Sequence, residues 1–213
     1  MTRADIARDE FLGTLDTAAR AMVRKVVTDE SSTRFVQDNE IELINEGIVN
    51  GLLHVDGNVV YLKGSDVRAY DLFTLNREYL TQFAAYTALV TKYGYPIAQC
   101  RFEYHFMDVC AFLEEKPFVY VETKIAERPT DLLLEKILAY APKVARLLEE
   151  VDRGNDPLRK AKYIFNDKPA YLWLVTPKRR QAFRIAYTAE GFSLEAVPDI
   201  PSFTEAANDS GGA

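Results

Sequence analysis

The chain has 213 residues, 48% of them hydrophobic and 27% charged, with a formal net charge of −6, the balance of a globular protein with a buried core. No window holds the roughly 18 consecutive apolar residues of a membrane span, and MTRADIARDEFLGTL at the N-terminus lacks the apolar run of a signal peptide, so a cytoplasmic protein is expected. The acidic balance excludes a protein that coats nucleic acid through bulk charge, since such binding is mostly phosphate neutralisation, but not one that uses a local basic patch and a metal.

In chain order, Ile6, Phe11, Leu15, Ala18, Met22 and Val26 predict a helix over 3–27, broken by the polar stretch 28–32. Ile41, Leu43, Ile44 and Ile48 predict a second over 39–53. Asp56-Gly57 then stands between two apolar, β-prone runs, a strong hairpin signal. Helices followed by a hairpin suit either a winged helix or a decoration packed on the main core; no basic recognition helix precedes the hairpin. Residues 1–70 are read as this elaboration. A long helix is predicted over 71–93 from Leu72, Leu75, Tyr79, Phe83, Tyr86 and Val90, stopped by Gly94 and Pro96.

Two strands follow, over 98–113 and 118–125, joined by Glu114-Glu115-Lys116. In one extended strand Cys100 and Cys110 would lie about 30 Å apart, beyond disulfide reach, and with only two histidines there is no zinc-type spacing. A helix is expected over 130–151, broken or kinked at Pro142, then a loop at 153–157. A strand over 171–175 and a hairpin of 182–187 with 192–197 complete the 71–197 core, and 198–213 is expected to be a mobile tail. The class is α/β (α+β), a mixed central sheet flanked by helices.

Chemistry is concentrated at the strand pair. With the connection centred on Glu115, paired residues sum to 230, which sets Asp108 opposite Glu122 on one face, with Lys124 on that face by the period of two. Two close carboxylates in an apolar hairpin resist joint ionisation unless a cation compensates them. Mg²⁺ takes one or two carboxylates with water and phosphate, and a lysine beside it can hold a phosphate or orient a water. That set suits metal-assisted phosphodiester hydrolysis. Glu103 and His105 have the other parity within a single strand and are read as structural, with Tyr104 and Phe106 as core.

The helix, the strand FMDVCAF, the strand VYVETK, the helix and the strand YLWLV resemble the PD-(D/E)xK nuclease superfamily over roughly 71–176. Asp108 and Glu122-Thr123-Lys124 match its Asp and E-x-K, while Met107 stands where the family's name has Pro. The resemblance implies a restriction-endonuclease-like fold and a Mg²⁺-dependent DNA endonuclease, with Mn²⁺ able to substitute. It implies metal ligands at Asp108, Glu122 and Glu78, and Lys124 as the catalytic lysine. Lys136 or Tyr140 matches a polar residue on the following helix. The clusters Arg159-Lys160-x-Lys162 and Lys178-Arg179-Arg180 are candidates to hold the DNA backbone, though solvated surface is the ordinary reading of such runs. A homodimer is expected if both strands are cut, as is a partner protein if specificity comes from outside. The competing reading is a catalytically silent nuclease-fold DNA-binding or assembly subunit. A small-molecule phosphohydrolase is disfavoured by the lack of a GxxxxGK[ST] loop.

Overall fold

The computed structural model describes residues 38–72 and 74–210. The helix expected over 3–27 lies outside the described residues. The protein is mixed α/β, with a six-stranded mixed sheet, a three-stranded sheet and five described α-helices. No described helix is long and apolar enough to cross a membrane.

The first described helix, α1 (Asp38–Val49), leads into β1 (Leu53–Asp56) and β2 (Val59–Lys63), which pair Asp56 with Val59 around Gly57-Asn58. Gly57 has a φ of +56°, a backbone that glycine adopts without steric cost. A third strand, β3 (Val67–Asp71), then pairs back on β2 where the long helix was expected to start. That helix, α2 (Glu78–Thr91), is buried along its whole middle from Leu80 to Leu89. Such all-round burial fits a mean composition of Ala, Leu, Phe and Tyr, and places α2 between layers. Leu52, Val60 and Leu62 share one hydrophobic cluster with Phe83, Tyr86, Phe102, Val109 and Trp173. The small sheet is therefore continuous with the main core.

The stretch 98–113 is two strands rather than one. β4 (Cys100–Tyr104) and β5 (Met107–Leu113) form a hairpin turning at His105-Phe106, with Tyr104 paired to Met107. This overturns the 30 Å separation of the cysteines, because Cys100 pairs with Ala111, next to Cys110. Both thiols are free and buried, one in each core cluster, on opposite faces of the sheet. β6 (Lys116–Thr123) follows antiparallel, β7 (Tyr171–Val175) pairs with it in parallel, and β8 (Arg180–Tyr187) and β9 (Phe192–Val197) complete the order β4-β5-β6-β7-β8-β9.

Between β6 and β7 run α3 (Glu127–Tyr140), a 3₁₀ segment Ala141–Leu147 and α4 (Asp156–Asp167). Pro142 converts the helix to 3₁₀ geometry, as the expected break requires. The loop expected at 153–157 instead launches α4: the Asn155 side chain accepts from Leu158 N at 3.3 Å, and Pro157 sits in the first turn. The expected mobile tail contains α5 (Phe203–Ser210). Its start is a capping box, with Glu205 accepting from Ser202 N at 2.7 Å and Ser202 Oγ accepting from Glu205 N at 3.3 Å.

Candidate active site

The β5–β6 register places the central carboxylates. Leu113 pairs with Lys116 across a two-residue turn, and an irregularity between Ala111 and Phe112 then shifts the ladder to Ala111↔Val119 and Val109↔Val121. Continued one step, this register would bring Asp108 opposite Glu122; the contact formed at that level is Asp108 Oδ2 with Thr123 N and Oγ1. The expected register is thus reached through a tighter turn and a compensating bulge. Alternate residues of these strands sort to two sides: Val109, Val121 and Trp173 toward α2, and Cys110, Tyr120 and Leu174 toward α3 and α4.

Glu122 is 2% exposed and its two oxygens each carry a lysine. Lys124 Nζ lies 2.8 Å from Oε1 and Lys160 Nζ 2.7 Å from Oε2. Lys160 is 4% exposed on α4 and also donates to the Phe106 carbonyl. A buried carboxylate needs such compensation, because desolvation opposes its charge. Lys124 continues the β6 ladder, its N–H donating to Val175 O at 3.0 Å, and its ammonium reaches Glu78 Oε1 at 2.9 Å on the first turn of α2. Burial pulls the Lys124 ammonium down, but the carboxylates of Glu122 and Glu78 outweigh it and hold its pKa above the ordinary lysine value. These contacts favour the ammonium form of Lys124.

Asp108 is held differently. Its Oδ2 accepts from both Thr123 N and Thr123 Oγ1 at 2.6 Å, and its backbone carbonyl accepts from Gln82 Nε2 at 2.6 Å. Burial, and then the charge of Glu122, push the Asp108 carboxyl up to about 7 against the opposing Thr123 bonds and Lys124. A buried carboxyl raised this far, beside a second carboxylate, is a common arrangement at functional sites.

The hairpin adds a residue that parity within one strand had turned away. Because the chain reverses at His105-Phe106, the β4–β5 register runs Phe102↔Val109 and Tyr104↔Met107, which sets Glu103 opposite Asp108. Glu103 Oε1 accepts from Tyr79 OH at 3.1 Å. Asn76, Glu78, Tyr79, Gln82, Glu103 and Asp108 line a cleft of about 140 Å³. No turn residue at His105-Phe106 advertises the reversal; both have positive φ, 49° and 63°, without being Gly, Asn or Asp.

The other expected site residues fall as follows. Lys136 is exposed on α3, and the Tyr140 hydroxyl accepts from Asn155 Nδ2 at 3.0 Å. The 159–162 run is not a solvated stripe: Lys160 is on Glu122, and the buried Lys162 lies 3.5 Å from Asp152. Arg159 pairs with Asp152 at 3.4 Å and lays its guanidinium over the Phe106 ring. Arg179 pairs with Asp131, Arg180 lies over Trp173, and Lys178 is exposed.

Among the described residues no group of three or more His, Cys, Asp or Glu side chains closes on one cation position. The donor chemistry still fits a hard divalent ion, which asks for one or two carboxylates with water and phosphate filling the remaining positions. Asp108 and Glu122 would supply that pair, with Lys124 and Lys160 already on Glu122. Asp108, Glu122 and Glu78 are the residues that would hold it. No protein-family model, no curated protein and no solved structure matches the chain.

Proposed function

We propose that the protein is a metal-dependent phosphodiester hydrolase acting on DNA, with a restriction-endonuclease-like core of the PD-(D/E)xK kind. The observation that carries the reading is the convergence of Asp108, Glu122 and Lys124 at one edge of the β5–β6 pair, with Glu78 brought to Lys124 from α2. The order α2, β4–β5–β6, α3, β7, with β7 parallel to β6, supports the fold. When bound, Mg²⁺ or Mn²⁺ would polarise the phosphoryl oxygen and supply a more acidic water.

The chain's own groups do the rest. Lys124, kept protonated by Glu122 and Glu78, is placed to neutralise a phosphate oxygen as charge builds there. Lys160 holds Glu122 in one rotamer from behind, so that the carboxylate need not reorganise. Thr123 fixes Asp108 through both its N–H and its hydroxyl. Glu103 forms the far wall of the cleft.

One observation favours the silent DNA-binding subunit as a second reading: Glu122 is neutralised on both oxygens and Lys124 is closed between two carboxylates. The test is cleavage of supercoiled, linear and branched DNA with Mg²⁺, Mn²⁺ or EDTA, comparing wild type with Lys124→Ala. Metal-dependent cutting that the substitution abolishes is expected. No cutting by wild type on any form would sink the stand-alone enzyme and favour the silent subunit.

A further inference from the structure

The β4–β5 hairpin ends in an apolar ring outside both core clusters, tilted against Tyr163 at 5.8 Å. Phe106 is 51% exposed, at the second position of a two-residue turn in which His105 and Phe106 both have left-handed φ. Such turns are normally built from Asn and Gly, and a bulky side chain there is strained unless its surroundings enforce it. Here they do. Lys160 donates to the Phe106 carbonyl, and His105 Nδ1 donates to Asp167 Oδ2 at 2.6 Å. The His105 ring is stacked between Tyr104, at 3.9 Å, and Tyr163, at 4.6 Å. The Arg159 guanidinium stands 4.4 Å from the Phe106 ring centroid. A strained turn, held at His105 by Asp167, Tyr104 and Tyr163 and at Phe106 by Lys160 and Arg159, and presenting an aromatic ring to solvent, points to a ligand.

The space beside that ring says which. Phe106, His105, Met107, Tyr163, Glu103 and Asp108 line a cavity of about 500 Å³, so the aromatic tip and the candidate catalytic carboxylate share one opening. We propose that Phe106 is a stacking platform for an unpaired nucleobase, which makes single-stranded or locally opened DNA the substrate class of this site. The inference rests on the phosphodiesterase reading for its choice of ligand.

Distances support it. Two residues of chain span no more than about 7 Å, and stacked nucleotides rise 3.4 Å each. A base on Phe106 would then belong to a nucleotide close to a phosphate at Asp108, since both residues line one cavity. Stacking tolerates every base, since each has a π-face, and the guanidinium of Arg159 adds a second planar surface. In an intact duplex the faces of the bases are already covered by their neighbours. Only an unpaired or splayed strand offers one to Phe106.

The experiment uses an oligodeoxynucleotide carrying 2-aminopurine, single-stranded or in duplex, with the full-length protein in Ca²⁺. Wild type and Phe106→Tyr should quench the single strand and bind it at least tenfold more tightly than Phe106→Ala. The duplex should not be quenched. Phe106 is exposed, so the variant should keep its melting temperature, which is checked alongside. An unquenched single strand with wild type, equal quenching by Phe106→Ala, or a duplex quenched as strongly as the single strand would each overturn the platform. Cleavage in Mg²⁺ separates the two ideas. If wild type cuts no DNA the enzyme reading fails while the quenching result still decides the platform. If cutting is metal-dependent but Phe106→Ala matches wild type in both quenching and cutting, only the platform fails.

Discussion

Replacing Lys160 with methionine removes one of the two ammonium groups on Glu122 and leaves an unbranched side chain to fill the space. Lys160 and Glu122 are 4% and 2% exposed, so solvent does little to screen the loss. Breaking a buried pair by removing one partner costs about 3–5 kcal/mol. Lys124 stays 2.8 Å from the other oxygen, which puts the expected loss at the low end, about 3 kcal/mol. With a urea m-value of about 3 kcal/mol per molar for a chain of this size, the unfolding midpoint should fall by about 1 M. Trp173 is the single tryptophan and lies fully buried in β7, so its fluorescence reports the transition directly. Glu122→Gln should remove most of the need for Lys160, so the double variant should be more stable than the sum of the single losses predicts, by about 1 kcal/mol or more. A midpoint drop below about 0.3 M, or strict additivity, would refute the argument that Lys160 exists to neutralise Glu122.

Asp108 gives a pH signature. Its pKa of about 7 in the folded chain lies above the ordinary 3.8, so the folded state binds the proton more tightly than the unfolded state. Metal-free protein should then lose stability as pH rises from about 4 through 7. Asp108→Asn should flatten that slope in urea titrations with EDTA, and a wild-type-to-variant difference that is the same at pH 5 and pH 8 would contradict it. Arg77 ties α2 to Glu40 on α1 with both groups nearly fully buried; Arg77→Ala should cost about 3–5 kcal/mol, and a loss near that of a surface substitution would show that the pair is solvated. A Cβ on Gly47 would meet Thr87 Oγ1 at 2.5 Å where α1 crosses α2. Gly47→Ala should therefore lose about 1–3 kcal/mol by overpacking, read from the thermal midpoint, and an unchanged midpoint would mean the helices separate freely.

The parts of the fold that follow simple periods could be read from residues alone. The existence of a helix from about Tyr79 to Val90, the Asp56-Gly57 hairpin, the Tyr171–Val175 strand and the break at Pro142 are of this kind, although that helix is buried all round and not along one stripe. So was the β5–β6 register over Val109–Ala111 and Val119–Val121, although it depends on a tighter turn offset by a bulge, two deviations of one residue that cancel. The β4–β5 reversal was hidden because His105-Phe106 takes a turn conformation without turn residues, its strain absorbed by contacts with α4 that no local pattern reveals. That single reversal explains why Glu103 was turned away from the site. α4 had a local signature, Asn155 and Pro157 ahead of Leu158, Ala161 and Ile164, but a stretch containing Gly, Asn, Asp and Pro also reads as a loop. The pairing of Lys160 with Glu122 is a long-range contact, and a lysine within a basic run gives no sign that it is buried. At 202–205, Ser and Glu three apart form a capping box that composition alone disguised as a tail.

The parallel pairing of β7 beside β6 has a consequence for how the molecule comes into being. The meander β4–β5–β6 can close from neighbouring segments as soon as it is made, whereas β7 cannot dock until α3 and α4 have been synthesised and folded back. Before α4 docks, Glu122 has Lys124 as a partner but lacks Lys160, which only that helix carries. During that interval the carboxylates repel one another with less than their final compensation. Completion of the crossover both adds β7 beside β6 and brings Lys160 to Glu122, so the same segment that extends the sheet also balances the site's charge.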